Sequence, residues 1–394
     1  MIKIIRKDQC CGCSACLHIC PKHSISFKED KEGFLYPQVD TSTCIDCGLC
    51  EKVCPVLNQD EERMPLQVYA AKHTDDEIRM KSSSGGIFTL LAEQIIDKGG
   101  VVFGARFNEN WEVIHDYTET KEGLGPFRGS KYVQSNIGNS YKQVEKFLKT
   151  GRYVMFTGAP CQIAGLKKYL RKDYENLLTV DFVCHGVPSP MVWRKYLEEE
   201  IARQGDAGKN SVLTSSKVSP VVTGVNFRDK STGWKKFSFV LNFSKASDEG
   251  EHNTVLSSIF SENEYMRVFL SNLNLRPSCY KCAVKCGRSG SDITIGDFWG
   301  IDNIDPNFSS DKGISLVLLN KPLAFPMAEQ SAFISQTYND AIKYNPAIVN
   351  PSHIHPLRRI FMLSCFLLGF YKAIWLIYSP NVMCRVFRKI YQLI

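Results

Sequence analysis

The chain has 394 residues, 44% of them hydrophobic, which is enough for two or three domains with full cores and excludes a disordered chain or a mini-protein. Its net charge of +7 is not spread evenly: no acid follows Asp340, whereas Lys343, Arg358, Arg359, Lys372, Arg385, Arg388 and Lys389 do, so a neutral globule carries a cationic tail. Those cations are interleaved with Leu, Ile and Phe and accompany no recognition motif, which argues against nucleic acid as a partner.

The first residues, Met1 to Asp8, hold no apolar h-region of the kind a signal peptide needs, so a cytoplasmic protein is expected. In a reducing compartment the 16 cysteines read as metal ligands or redox groups rather than disulfides. Nine of them fall between Cys10 and Cys54. Cys10, Cys13, Cys16 and Cys20 stand before Pro21 in the pattern CxxCxxCxxxCP, and Cys44, Cys47, Cys50 and Cys54 repeat it before Pro55. In a two-cluster ferredoxin each [4Fe-4S] cube takes three thiolates from one such motif and the fourth from the other. The spacing therefore puts Cys10, Cys13, Cys16 and Cys54 on one cluster, and Cys44, Cys47, Cys50 and Cys20 on the second. Zinc would call for paired CxxC units or added histidines. Cys11 falls outside the spacing and reads as a bystander thiol. Ile25 and Phe27 alternate before a Glu32–Gly33 turn, as in a small hairpin between the two motifs. Asn58 to Pro65 is polar, charged and ends in proline, as a linker does.

From Leu66 to about Lys172, strand-like and helix-like runs alternate: Val68 to Ala71, Ile87 to Lys98, Val101 to Phe107, Ser140 to Lys149, then Tyr153 to Phe156. This is α/β punctuation. Ser82, Ser83, Ser84, Gly85 and Gly86 open the amphipathic helix, and such a turn leaves N–H groups at a positive helix end, suited to phosphate; the alternative is an ordinary helix cap. Alternating runs between Val218 and Phe243 flank a turn at Asp229 to Gly233, as a hairpin would, and a helix is expected near Phe260 to Leu270.

Several blocks stand in a fixed order: Gly129-Ser-Lys-Tyr-Val-Gln-Ser135, Phe156 to Leu166, Asp181 to Pro190, Phe227-Arg-Asp-Lys230 with Gly233-Trp234, and Leu275 to Cys282 leading to Asp292 to Gly300. Together they resemble the family of coenzyme F420 hydrogenase/dehydrogenase beta subunits, in the version with an N-terminal two-cluster ferredoxin domain. The resemblance covers about residues 1 to 350. It implies an FAD-binding α/β domain that passes electrons between iron–sulfur clusters and a hydride carrier or another reducible small molecule at the flavin. Ser82 to Gly86, with Ser130, would then hold FAD. Lys131 would place positive charge near the ring and stabilise its anionic reduced form, a solvated surface lysine being the alternative. Thr157 and Gly158 would meet the cofactor at a strand's carboxyl end. No GxGxxG follows a strand, which disfavours a standard nicotinamide site.

Cys161, Cys184, Cys279 and Cys282 each sit inside one of these blocks. Four thiolates from three loops would close a third [4Fe-4S] site near the flavin; the alternative makes Cys161 and Cys184 buried apolar residues and the CxxC incidental. Cys286 is a rival ligand that lies outside its block. His185, beside Cys184, is a candidate proton donor, with a structural histidine as the other reading.

The stretch from Ile360 to Tyr378 is nearly continuous apolar sequence interrupted by Lys372, about 28 Å long as one helix. Its apolar residues would favour insertion by about 3 to 6 kcal/mol and Lys372 would return about 3, so a full span is disfavoured. An interfacial or re-entrant anchor meeting anionic headgroups through Arg358, Arg359, Arg385, Arg388 and Lys389 is expected, with docking on the protein's own core as the alternative.

The expected fold is an α+β ferredoxin-like two-cluster domain at 1–58, an α/β FAD-binding domain of the F420 hydrogenase beta-subunit type at 66–350, and an apolar, basic helical tail at 356–394. The expected function is an iron–sulfur flavoprotein oxidoreductase using F420, reduced ferredoxin or another redox carrier on a small molecule. It would be cytoplasmic and peripheral at the inner face of the membrane. The competing readings are a non-catalytic electron-transfer subunit and a ferredoxin-linked reductase of a biosynthetic intermediate at a membrane.

Overall fold

The computed structural model describes residues 1–207, 219–247, 250–322 and 330–379. Each cysteine motif turns into a short helix, α1 (Ala15–Ile19) and α2 (Leu49–Lys52), through a left-handed residue, Ser14 at φ 65° and Gly48 at φ 72°. Between the motifs, β1 (Ile25–Glu29) and β2 (Leu35–Val39) pair antiparallel from Ile25↔Val39 to Glu29↔Leu35. Asp30 Oδ1 accepts the N–H groups of Glu32 and Phe34, both at 3.0 Å, and closes the turn. Gly33 is there at φ +82° because a Cβ would lie 2.4 Å from the backbone nitrogen of Met191.

The following residues build one mixed sheet. In chain order its first part is β3 (Gln67–His73), α3 (Asp76–Met80), α4 (Ile87–Asp97), β4 (Val101–Phe107), β5 (Val113–Thr118), α5 (Ser140–Lys149), β6 (Val154–Gly158), α6 (Pro160–Leu170) and β7 (Leu177–Phe182). The helix α7 (Pro190–Ala207) leads to an excursion of β8 (Val221–Asp229), β9 (Ser238–Ser247), β10 (Gly250–Ile259) and α8 (Glu264–Leu270). The chain then returns through β11 (Ile293–Asp297), α9 (Ile301–Ile304), β12 (Ser315–Leu319), β13 (Ser331–Ser335) and α10 (Tyr338–Tyr344). The strand order is β13-β3-β12-β11-β7-β6-β4-β5, and the inner strands β11, β7, β6 and β4 run parallel.

A parallel sheet must be covered on both faces, and this one is. On one face α4 lays Leu90, Leu91 and Ile95 against Val102, Met155 and Val180. On the other, α5 and α6 share a core with Phe103 and Phe156, and that core includes Cys13, Ala15 and Val53 of the ferredoxin segment. The cysteine-rich segment is therefore built into the sheet's second layer.

The expected hairpin before Phe243 is a three-stranded sheet, because β10 adds to β9 from Gly250↔Ser247 to Ile259↔Ser238. Trp193, Phe227, Phe239 and Tyr265 pack it against α7 and α8.

The expected single tail helix is two. Gly369, at φ +95°, separates α11 (Arg358–Leu368) from α12 (Phe370–Tyr378), and Glu199 accepts the first N–H groups of α12, from Phe370 at 2.6 Å and Tyr371 at 3.0 Å. Phe361, Cys365, Phe370, Ala373 and Ile377 are buried in the same core as Trp193, so one face of the tail docks on the protein itself. Arg358 does not reach outwards as expected: it is buried and forms a bidentate pair with Glu32. Cys384, Arg385, Arg388 and Lys389 lie outside the described residues.

Candidate iron–sulfur and cofactor site

The ferredoxin thiols lie close together: Cys10, Cys54 and Cys50 all act electrostatically on Cys16, so the cysteines of the second motif stand beside the first. Cys20, Cys44, Cys47 and Cys50 line one small pocket that is partly open to solvent. Backbone N–H groups point at sulfur, from Ile2 to Cys50 Sγ at 3.2 Å and from Ser24 to Cys20 Sγ at 3.3 Å, as thiolate ligands require. Among the described residues the cysteines form no disulfide, and no three candidate ligands converge as they would on one ion.

Cys161, Cys184, Cys279 and Cys282 come together although they are far apart in sequence. Cys161 lies in the first turn of α6, directly after β6, and Cys184 follows β7 by two residues. Cys279 and Cys282 belong to the 3-10 turn Pro277–Lys281 and its cap. Val187 N–H points at Cys279 Sγ at 3.4 Å and ties the last two loops. Cys161 and Cys279 are each influenced by both Cys184 and Cys282. Burial pushes the Cys184 thiol up to about 11 and Cys279 up to about 12, so without a metal both stay protonated, whereas coordination would deprotonate them. Cys286 faces another way, towards the carbonyl of Val349 at 3.7 Å.

Cys11, outside the motif spacing, lies beside Cys13 and Cys161, and their proximity holds its thiol well below the ordinary value. The approach is possible because residue 165 of α6 is glycine: a Cβ there would stand 2.9 Å from Cys13 Sγ. The first ferredoxin motif thus abuts the third cysteine group. Spacing within the motif could not signal this, because Cys161 is remote in sequence.

Of the expected flavin-loop residues, most are engaged internally. The hydroxyl of Ser82 donates to Ile78 O at 2.7 Å, that of Ser84 to Ile314 O at 2.8 Å, and Gly85 N–H to Ser315 Oγ at 2.9 Å. Gly86 caps α4 at φ +91°. Ser83 and Ser130 meet across 2.9 Å, with the Ser130 N–H donating to Ser83 Oγ at 2.7 Å. Next to them Lys131 is half-buried and donates to the carbonyls of Arg128 at 2.9 Å and Gly129 at 3.2 Å; burial lowers its ammonium to about 7. Thr157 and Gly158 end β6, but the Thr157 hydroxyl donates back to Phe103 O at 2.9 Å. His185 is fixed by its Nε2 to Asn272 Oδ1 at 2.6 Å and by an edge-on contact with Phe269.

Residues that lie in the ordered blocks but carried no assigned role complete this region. Arg228, buried, pairs bidentately with Asp297 at 2.8 and 3.2 Å and donates to Ser83 O at 3.2 Å. Trp234 donates to Asp297 Oδ1 at 2.8 Å and stacks on Trp299 with an interplanar angle of 9°. Lys230 holds the carbonyls of Arg79, Ser84 and Lys312, each at 2.7 Å. Arg228, Lys230 and Asp297 all lie within the ordered blocks, which was the available signal.

Models of known families match three stretches of the chain: a 4Fe-4S dicluster domain at residues 9–58, the N-terminal part of the coenzyme F420 hydrogenase/dehydrogenase beta subunit at 68–141, and the C-terminal part of the same at 151–330. Among curated proteins, one of the subunits of the F(420)H(2) dehydrogenase of Methanosarcina mazei is 27% identical over 196 residues, 46% of this chain and 55% of its own. Coenzyme F420-dependent sulfite reductase of Methanocaldococcus jannaschii is 23% identical over 200 residues, 50% of this chain and 30% of that protein. The chain therefore spans only part of each relative. A xenon-derivatised F420-reducing [NiFe] hydrogenase complex from Methanosarcina barkeri includes a chain that aligns with a TM-score of 0.41 at 19% identity, covering 67% of this chain and 78% of that one. The chain belongs to the family of coenzyme F420 hydrogenase/dehydrogenase beta subunits, in a form that carries a 4Fe-4S dicluster domain ahead of it.

Proposed function

We propose that the chain is a cytoplasmic iron–sulfur flavoprotein oxidoreductase that moves electrons between [4Fe-4S] clusters and FAD, to or from F420, reduced ferredoxin or another carrier, and acts on a small molecule. The observation that supports this reading is the close approach of Cys13 to Gly165 of α6, the helix that bears Cys161, which sets the ferredoxin motif beside the third cysteine group. Cys10, Cys13, Cys16 and Cys54 would hold one cluster, Cys20, Cys44, Cys47 and Cys50 the second, and Cys161, Cys184, Cys279 and Cys282 a third.

Ser83, Ser130 and Lys131 are the residues that would hold FAD, with Arg228 fixing Ser83 from behind. FAD, when bound, supplies the exchange between one-electron and two-electron carriers. Lys131 Nζ, lowered by burial to about 7, would present a positive charge or a proton there. His185, engaged with Asn272, positions the loop that bears Cys184. Anaerobic purification with iron and flavin counting tests the assignment: about twelve irons and one FAD per chain are expected. Bleaching of the flavin by reduced F420, NADH, NADPH or reduced ferredoxin, offered separately, then identifies the carrier. A reconstituted chain that binds iron but no flavin would instead serve electron transfer alone.

For the tail we propose peripheral contact with an anionic bilayer. Leu363, Phe366, Leu367 and Leu368 of α11 and Trp375 of α12 are exposed, with Arg359 and Lys372 exposed around them and no acid anywhere after Asp340. Among the described residues no helix is long and apolar enough to cross a membrane. Flotation with phosphatidylglycerol vesicles should recover the wild type and lose a Leu363→Glu, Leu367→Glu variant. Equal recovery of the two would remove the membrane reading.

A further inference from the structure

Arg276 is fully buried and stands just before the 3-10 turn that bears Cys279. Its Nε donates to Cys10 O at 2.7 Å, Nη1 to Gln134 Oε1 at 2.9 Å, and Nη2 to Leu35 O at 2.9 Å while lying 3.5 Å from Cys10 Sγ. The guanidinium also covers the ring of Tyr36 at 4.4 Å. The backbone N–H of Arg276 donates to Val187 O at 3.0 Å, so the main chain is held as well as the side chain. Gly12, at φ +74°, makes room: a Cβ there would sit 2.8 Å from Nη1.

Every polar partner of this cation is neutral. The charged or ionisable groups that act on it most are Cys10, Tyr36, Cys11 and Cys279, none of them a carboxylate. A buried guanidinium without a counter-ion costs several kcal/mol, and carbonyl dipoles offset only part of that. Other buried arginines in this chain have their carboxylates, Arg228 with Asp297 and Arg358 with Glu32. The anion that would balance Arg276 is the cluster ligated through Cys10, since four thiolates outweigh the iron–sulfide core in either oxidation state.

We infer that Arg276 is the counter-ion of the first ferredoxin cluster and raises its reduction potential, keeping a buried cluster reducible beside the third cysteine group. This rests on the iron–sulfur reading above. In the step concerned the cluster core takes one electron from a one-electron donor and goes from 2+ to 1+, with no proton taken up. Burial disfavours that added negative charge, and a fixed cation with an N–H near the ligand sulfur favours it. Arg276 acts through the cluster, so it is a positioning and tuning residue.

The test is an EPR-monitored redox titration of the full chain, purified anaerobically, after iron and sulfide are counted in each sample. In Arg276→Gln, with iron content unchanged, one cluster's midpoint should fall until its reduced-to-oxidised ratio at a fixed potential drops at least tenfold, about 59 mV for one electron. The other midpoints should stay in place. Arg276→Lys, which keeps the charge but not the fork of donors, should fall in the same direction by less, and it decides the matter if Arg276→Gln loses iron. Unmoved midpoints in an iron-replete variant, or an equal shift of every cluster, would overturn the inference. A wild type without iron would sink the cluster reading together with it.

Discussion

Arg358 grips Glu32 with two guanidinium nitrogens, at 2.6 and 3.0 Å, and so joins the first residue of α11 to the turn of the ferredoxin hairpin. Arg358 also donates to Leu275 O at 2.7 Å, in the segment that leads to Arg276. One ion pair therefore braces three stretches distant in sequence. It is 9% exposed on the arginine side and 26% on the glutamate side, between the surface and buried extremes. Glu32→Gln should cost about 2 kcal/mol in anaerobic denaturant unfolding, with Arg358→Met similar and the double variant less than additive. Additive losses would show that the two residues stabilise the fold independently.

Gly165 offers a sharper probe of the ferredoxin interface. In mid-helix, glycine to alanine ordinarily stabilises by about 1 kcal/mol. Here the added methyl would meet Cys13 Cβ at 2.8 Å and Tyr141 Oη at 3.0 Å, inside a packed core. Gly165→Ala should therefore destabilise by about 1 to 3 kcal/mol and perturb the EPR line shape of the first cluster. A more stable Gly165→Ala protein would mean that α6 stands farther from Cys13.

What was legible in the sequence follows the range of the interactions. The cysteine motifs and the helix from Ile87 are local patterns, and each lies where its spacing put it. Gly369 was missed because one glycine within an apolar run does not announce a break, and here the break is stabilised by Glu199, far upstream in α7. The strand β10, Gly250–Ile259, was missed because its Glu, His, Asn and Ser residues give no apolar alternation; pairing with β9 holds it. Cys11 and Arg276 matter through contacts with Cys161 and Cys10 that cross the whole fold. Such contacts have no one-dimensional signature.

The third cysteine group makes a prediction that separates its members from Cys286. Cys161→Ser and Cys279→Ser should each lower the iron content from about twelve to about eight per chain and leave the ferredoxin signals in place. Cys286→Ser should leave iron unchanged, since its thiol faces Val349 O. Iron loss in Cys286→Ser with none in Cys279→Ser would reassign the fourth ligand.

Asp181 provides a pH-dependent test. It is 2% exposed at the end of β7, and burial pushes its carboxyl from 3.8 up to about 6, against the opposing effect of hydroxyls from Ser289, Thr294 and Ser291. The folded chain therefore holds this proton more tightly than the unfolded chain. Its contribution to stability is fully present below the unfolded value of 3.8 and is lost as pH rises to about 6. A two-unit shift corresponds to about 3 kcal/mol, as an order of magnitude. Asp181→Asn removes the titration while keeping a group that can accept from Ser289 Oγ, which donates to Asp181 Oδ2 at 2.5 Å. Anaerobic denaturant curves should show Asp181→Asn more stable than wild type at pH 8, with the gap closing as pH falls towards 5. A gap that does not change with pH would mean that Asp181 is ionised in the folded protein throughout this range, with a counter-charge compensating its burial.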